Sequence, residues 1–276
     1  MNEQLYHPLV WSMIPRKLKP NMDDAIDAIG DLYNAPTPEP FRFDFENDTI
    51  LKYAYFYRYF VCISNAVKKC WLKLADLHYP GFLQNKSELN VCCVGGGSGC
   101  DLVGLCQFMD YIDMEKRINA VILDYYDWSK ETRKLIANIA GAEVYGIVNF
   151  NNVRYNFFKV SPIHHAVINE IGNADLVTIV KFLSAVGADK NGVEQLSDLL
   201  SNMKRNGRVF YMDNSGGPYR NMMKEVAGAV GLELVSEVVH RKIVVPEEES
   251  DQMAHARFRT LPLKSTSVTA SLWKKN

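Results

Sequence analysis

Hydrophobic and polar positions change their rhythm near residue 88. From there on, short apolar runs of strand length alternate with stretches of helical period, and glycines or Asn-Gly mark several joins. The pattern predicts strands over 89–94, 118–123, 155–160, 176–180, 208–212, 233–240 and 267–273. It predicts helices over 100–111, 128–139, 193–203 and 219–230, the last ended by Gly231. Strands separated by helices need crossover connections, so an α/β, doubly wound, mainly parallel seven-stranded sheet is expected. Its central strands are apolar throughout, as helices on both faces require. No helix is predicted between the sixth and seventh strands, which implies an antiparallel C-terminal edge pair. The charged segment 245–251 between them reads as a solvated loop.

The first part of the chain has another pattern. Pro8, Pro15, Pro20, Pro36, Pro38 and Pro40 punctuate residues 1–46. They leave room for a short helix over 23–33 and an extended connector over 36–40. A long helix is predicted over 48–77, with Asn47 or Asp48 as its N-cap and Pro80 beyond its end. Tyr53, Tyr55, Phe56, Tyr57, Tyr59 and Phe60 crowd its first half and cover several faces, so it should be buried on more than one side. Two readings fit that helix: a lid over a ligand site, or a core or dimer helix. The chain is thus expected to divide into an N-terminal helical extension, 1–84, and an α/β domain, 85–276.

Composition narrows the function classes. Of 276 residues, 47% are hydrophobic and 23% charged, as in ordinary globular proteins. A net charge of −1 speaks against a globally basic nucleic-acid binder. Lys68, Lys69 and Lys73, with Arg16, Lys17 and Lys19, supply at most a modest basic surface, the usual sign of a solvated face. No basic stretch leads into an apolar core at the N-terminus, and no apolar run nears the ~20 residues of a membrane span. A cytoplasmic protein without membrane partners is expected, with the nucleus left open. The six cysteines form no Cys-x-x-Cys pair, and Cys92 and Cys93 lie inside an apolar run. They read as buried reduced thiols, and no metal site is expected.

The candidate chemistry starts at the end of the first strand, where Val91-Cys92-Cys93-Val94 runs into Gly95-Gly96-Gly97-Ser98-Gly99 and then Cys100-Asp101. A ligand approaching a strand's carboxyl end needs backbone without Cβ atoms in its way. The N–H groups at the following helix start can bind polar ligand atoms. A tight turn with no ligand is the plainer reading of the same residues. A phosphate-binding P-loop would need Gly-Lys-Ser/Thr, and Cys100-Asp101 stands there instead. A hydrolase elbow would need Gly-x-Ser-x-Gly, and Ser98 is followed by Gly99-Cys100. The dinucleotide fingerprint needs Gly or Ala where Cys100 sits, which with the paired last strands disfavours a nicotinamide-dependent oxidoreductase. Asp124 ends the second strand and can accept both hydroxyls of a ribose, beyond its plainer role as a solvated strand end. Tyr125 and Tyr126 follow it, to stack near an adenine or to fill the core.

The stretch Val91 to Gly99, Asp124 and the strand–helix order resemble class I S-adenosylmethionine-dependent methyltransferases, over roughly residues 85–276. The resemblance implies a seven-stranded sheet with an antiparallel last pair and S-adenosylmethionine as cofactor. It implies that Gly95, Gly97 and Gly99 belong to the cofactor loop and that Asp124 binds the ribose; Gly96 and Ser98 within that loop, and Tyr125 beside the acid, complete the cofactor-side candidates. The family commonly carries an acid two residues before the first glycine. Here that residue is Cys93, and Asp101 lies too far downstream to replace it. The segment after the fourth strand, Lys181-Phe182-Leu183-Ser184, flanks the transferring methyl in the family. It lacks the Asp/Asn-Pro-Pro-Tyr/Phe of enzymes acting on exocyclic base amines. A Lys there suggests ribose 2′-O-methylation, but its tetrad partners are not identifiable, and a surface or structural role for Lys181 is the plainer reading. Lys181, Phe182, Ser184 and, after the fifth strand, Asp213 are the substrate-side candidates. His164 and His165, being adjacent, would point to opposite faces of a strand and cannot readily share a metal. The expected activity is methyl transfer to an acceptor that is a small molecule or protein in preference to RNA, with no catalytic base identified. The alternative is a non-catalytic S-adenosylmethionine-binding module that acts through a partner.

Overall fold

The computed structural model describes residues 5–34, 44–45, 47–78, 80–84, 86–140, 146–158, 162–186, 190–255 and 258–276. The expected connector at 36–40 lies outside them, as do residues 159–160. Before the sheet come α1 (Tyr6–Met13), α2 (Met22–Asn34), α3 (Thr49–Tyr55), α4 (Val61–Leu77) and the short α5 (Gly81–Gln84). Asp48 caps α3, its side chain accepting the Ile50 N–H at 3.2 Å. A π-helical turn, Phe56–Phe60, joins α3 to α4, so the predicted long helix is continuous but locally widened. Then follow β1 (Glu88–Val94), α6 (Cys100–Tyr111), β2 (Arg117–Asp124), α7 (Ser129–Ala140), β3 (Ile147–Arg154), α8 (His165–Asn173) and β4 (Leu176–Val180). The chain closes with α9 (Leu183–Val186), α10 (Lys190–Ser201), β5 (Arg208–Asn214), α11 (Tyr219–Ala229), β6 (Leu232–Val244), α12 (Glu247–Ala254) and β7 (Ser265–Lys275).

The strands form one sheet in the order β3-β2-β1-β4-β5-β7-β6. The first five are parallel to their neighbours. β7 runs antiparallel to both β5 and β6, and β6 lies at the edge. Side chains alternate across the sheet. Val91 and Cys93 join the apolar cluster on one face, and Cys92 and Val94 the cluster on the other. The first cluster holds α1 to α4, α6 and α7; the second holds α8, α10 and α11. The second half of the aromatic-led helix is core. Trp71 of α4 stacks between Phe108 of α6 (5.5 Å, 18°) and Phe210 of β5 (4.6 Å, 13°).

Two expected elements are corrected. The third strand is 147–154, not 155–160. Asn149, Asn151 and Asn152 interrupt its apolar pattern, because β3 is a sheet edge, where polar side chains are tolerated and useful. The apolar residues after it, Tyr155 and Phe157, pack into the second cluster instead. The segment 245–251 is no solvated loop. Glu247, Glu248 and Glu249 form the acidic first turn of α12, favourable against the helix dipole. Glu249 and Met253 are buried. The Glu249 carboxylate accepts the backbone N–H of Tyr6 and, at 3.1 Å, of His7, so it caps α1 from across the molecule. Helices α1 and α8 also escaped the sequence pattern. His164 N-caps α8 through its Nδ1, which accepts the Ala166 N–H at 3.3 Å, so His164 and His165 begin a helix and lie on no strand.

Candidate functional site

The strand order reverses between β1 and β4, and ligands of open α/β sheets bind outside the carboxyl ends of strands at such a point. A cavity of about 350 Å³ opens there, inside the range of roughly 300–1,000 Å³ typical of ligand pockets. Its floor comes from the ends of β1, β2, β4 and β5 and the start of β7. Its roof comes from α2, α3, the π-turn and α4.

The glycine loop builds the first part of the floor. Gly95, Gly97 and Gly99 have φ of +63°, +42° and +74°, backbone that side chains rarely adopt. The Gly95 N–H continues the sheet by bonding Leu123 O at 2.7 Å, and the Gly99 N–H closes the turn on Gly96 O at 2.7 Å. Gly99 then leads into α6. A Cβ on Gly95 would stand 2.4 Å from the Phe182 ring, whereas one on Gly97 would face Asp124 Oδ2 at 3.6 Å. Gly95 and Gly97 therefore line the cavity, while Gly96, Ser98 and Gly99 shape the loop from behind its wall.

Asp124 meets this loop from β2. Its Oδ2 accepts the Gly97 N–H at 2.9 Å, and its Oδ1 accepts the Tyr126 N–H at 3.0 Å and Trp128 Nε1–H at 3.3 Å. Burial pushes its carboxyl up to about 6, against the lowering effect of these bonds. An aromatic wall surrounds it: Phe45 lies 5.3 Å from Trp128 and 5.4 Å from Tyr126, and Tyr55 lies 5.4 Å from Trp128. Tyr125 packs edge-on to Tyr126 at 4.7 Å and also lines the cavity.

The far half lies over β4, β5 and β7. Lys181 follows β4 in a left-handed conformation, φ +55°, which is sparsely populated for a residue with a side chain. Its N–H bonds Met212 O at 2.8 Å. Its Nζ donates to Asn214 Oδ1 and, at 3.1 Å, to Thr266 Oγ1. Burial holds its ammonium below the ordinary lysine value, with the Asp213 charge opposing. Asp213 itself is fully buried behind the wall, where its Oδ2 accepts the Ser184 N–H at 3.0 Å. Burial raises its carboxyl, and Lys181 draws it back. Phe182 and Ser184 line the cavity beside Lys181.

Sequence reasoning missed the roof and far-wall residues Tyr33, Arg58 and Thr266. The aromatic run was visible. The direction each ring takes depends on the π-turn, and the meeting of Asn214 with Thr266 depends on the β5–β7 pairing. Cys93 and Asp101 lie beneath the loop, both fully buried, and Asp101 accepts the Thr178 hydroxyl. All six cysteines are buried and unpaired. Among the described residues, no three His, Cys, Asp or Glu side chains are placed to hold a metal ion. No described helix is long and apolar enough to cross a membrane.

The architecture is a Rossmann-like, mainly parallel seven-stranded sheet with an antiparallel C-terminal pair. No family model and no curated protein sequence matches the chain. Solved structures are similar at low identity. The N-methyltransferase NodS of Bradyrhizobium japonicum, in complex with S-adenosylhomocysteine, is 8% identical over 92% of this chain and 99% of its own, with a TM-score of 0.41. An S-adenosylmethionine-dependent methyltransferase from Methanosarcina mazei is 11% identical over 71% and 97%, with a TM-score of 0.41. Precorrin-6y C5,15-methyltransferase from Geobacter metallireducens is 14% identical over 71% and 85%, with a TM-score of 0.39. A shared fold does not carry a shared function, and the chemistry depends on the chain's own residues.

Those residues fit an adenosyl ligand. The positive-φ loop leaves an open cradle at Gly97, Asp124 stands on the same wall, and an aromatic wall suited to a purine lies beside it. The acid that would meet the ligand's amino group is replaced by Cys93, and Asp101 is held under the loop by Thr178.

Proposed function

We propose that the protein is an S-adenosylmethionine-dependent methyltransferase. One observation carries the reading: Gly97 and Asp124 share a wall of a cavity that continues past β4 to β5 and β7, so cofactor and acceptor places are contiguous. When bound, S-adenosylmethionine supplies an electrophilic methyl on sulfur. The chain's part is alignment. Asp124 accepts the ribose hydroxyls, Gly95 and Gly97 let the ligand approach the backbone, and Tyr125 flanks the adenine. Phe182 and Ser184 border the place of the acceptor, and the roof aromatics keep water out. Holding two reactants in line can lower the barrier by roughly 7–11 kcal/mol. Enclosure under the roof supports a small-molecule acceptor over a protein or RNA.

A second reading has its own observation. With Cys93 in place of an acid and Asp101 bound to Thr178, the hold on the ligand's amino group is weakened. That favours a cofactor-binding module whose roof reports occupancy to a partner.

Calorimetry with S-adenosylmethionine, S-adenosylhomocysteine and NAD tests the proposal. Both adenosyl ligands are expected to bind and NAD is not. Failure of either adenosyl ligand to bind the folded protein overturns it. A labelled-methyl assay on fractionated extracts separates the two readings, since a binding module labels nothing.

A further inference from the structure

The cavity runs from Asp124 on β2 across β1, β4 and β5 to Thr266 on β7. Four interstrand gaps of about 4.8 Å make this roughly 19 Å. An adenosyl group held by Gly97 and Asp124 occupies the β2–β1 end. The β4–β7 end is left for the acceptor, and its charge is distinctive. Lys181 enters from the floor and Arg58 from the π-turn of the roof. Both stand close enough to the buried Cys62 thiol to oppose its upward shift to about 12. Asp124 is the one carboxylate among the described lining residues, and it belongs to the other end. Asp213 lies behind the wall, where the Ser184 and Asn214 N–H groups bind it, so its charge reaches Lys181 but its oxygens do not line the cavity.

Both cations are held in place by the chain. Asn214 and Thr266 take two of the three Lys181 ammonium protons, and the left-handed backbone at Lys181 fixes where its side chain starts. Arg58 donates to Leu261 O, while its own carbonyl accepts the Leu263 N–H at 2.8 Å. Strained backbone and tethered cations on a cavity wall are features that a packing role does not require. Around them the wall is apolar or aromatic, with Ile63, Phe157, Tyr219 and Leu263.

We infer that the methyl acceptor is a small apolar or aromatic molecule bearing an anionic group, a carboxylate or a phosphate, which is received between Lys181 and Arg58. This inference rests on the methyltransferase reading, since it takes the β2–β1 end as filled by the cofactor.

The test is calorimetry of the S-adenosylhomocysteine-loaded protein with benzoate, phenyl phosphate, benzamide and benzylamine. At least one anion is expected to bind about tenfold or more tighter than benzamide, with benzylamine weakest. Benzoate against phenyl phosphate tells carboxylate from phosphate. Lys181→Gln should remove the preference and Lys181→Arg should restore most of it. If Lys181→Gln does not fold, Arg58→Gln serves in its place. Equal binding of benzamide or benzylamine overturns the inference, and so does binding of neither anion. It also fails if Lys181→Gln weakens S-adenosylhomocysteine but not 5′-methylthioadenosine, because the cation would then serve the cofactor's own carboxylate. If the wild-type protein does not bind S-adenosylhomocysteine, the methyltransferase reading fails. The same four probes with the free protein then decide whether an anion site exists.

Discussion

Burial pushes the Asp124 carboxyl up to about 6, whereas the proposed acceptance of two ribose hydroxyls, one by each oxygen, requires the ionised form. Affinity for S-adenosylhomocysteine is therefore expected to hold above pH 7 and to fall as the pH drops through 6. Stability runs the other way. Between the ordinary 3.8 of an aspartate and about 6 the folded state holds a proton that the unfolded state has lost, so ionising Asp124 destabilises the fold as pH rises through that window. Asp124→Ala should weaken S-adenosylhomocysteine by about 1–3 kcal/mol, the worth of hydrogen bonds to a charged group. Unchanged calorimetric affinity would take Asp124 out of the site. Asp124 and the glycines were legible in the sequence because their places are local: a strand end, a turn, a helix start. Lys181 was legible as a position, but its partners Asn214 and Thr266 were not. The first meets it through the β4–β5 neighbourhood and the second through the reversed β7, and neither pairing leaves a mark in the spacing.

Among the elements, the buried parallel strands showed themselves by continuous apolar runs, and β1, β2, β4 and β5 appear close to their expected places. Edge strand β3 and acidic helix α12 did not, because exposure in one and a distant capping role in the other mask the apolar period. The contact between α4 and α6 was likewise invisible. At Gly104 the two helices come so close that a Cβ would stand 2.5 Å from Ser64 O and 2.5 Å from Val67 Cβ. One neighbour is backbone, so the helices themselves must move apart. Gly104→Ala is expected to destabilise the protein by about 1–3 kcal/mol, the range for overpacking a core, seen as a lower urea midpoint. Gly104 does not line the cavity, so S-adenosylhomocysteine affinity should change less than stability does. Gly95→Ala should do the reverse in proportion. Its φ of +63° and the Phe182 ring at 2.4 Å make any side chain distort the loop, and ligand affinity should fall by more than the midpoint does.

At the scale of the whole molecule, the chain's beginning is fastened by its far end. Glu249 of α12 receives the first N–H groups of α1, and the Arg259 backbone N–H bonds Asp23 of α2 at 2.6 Å. The roof over the cavity thus depends on residues that follow β6. His7 sits at that junction, buried beside Tyr57 at 5.8 Å, its Nδ1 without a partner among the described residues. Burial lowers its pKa from 6.5 to about 4. The neutral ring is the folded form, so as pH falls from 6.5 towards 4 the unfolded state takes up a proton that the folded state refuses, and stability is lost. Asp124 acts in the opposite sense over much of the same window, so the difference between proteins is the test: relative to the wild type, His7→Gln should gain stability as the pH falls from 7 to 4, measured as the urea midpoint of both at intervals. In the wild type, hydrogen exchange should quicken first in α1 and α12, because opening them relieves the ring without breaking the sheet. Uniform loss of protection across α1 and β1, β4 and β5 would show that the N-terminal helix is released only with the whole core, and that Trp71, packed between α6 and β5, ties roof and sheet into one cooperative unit.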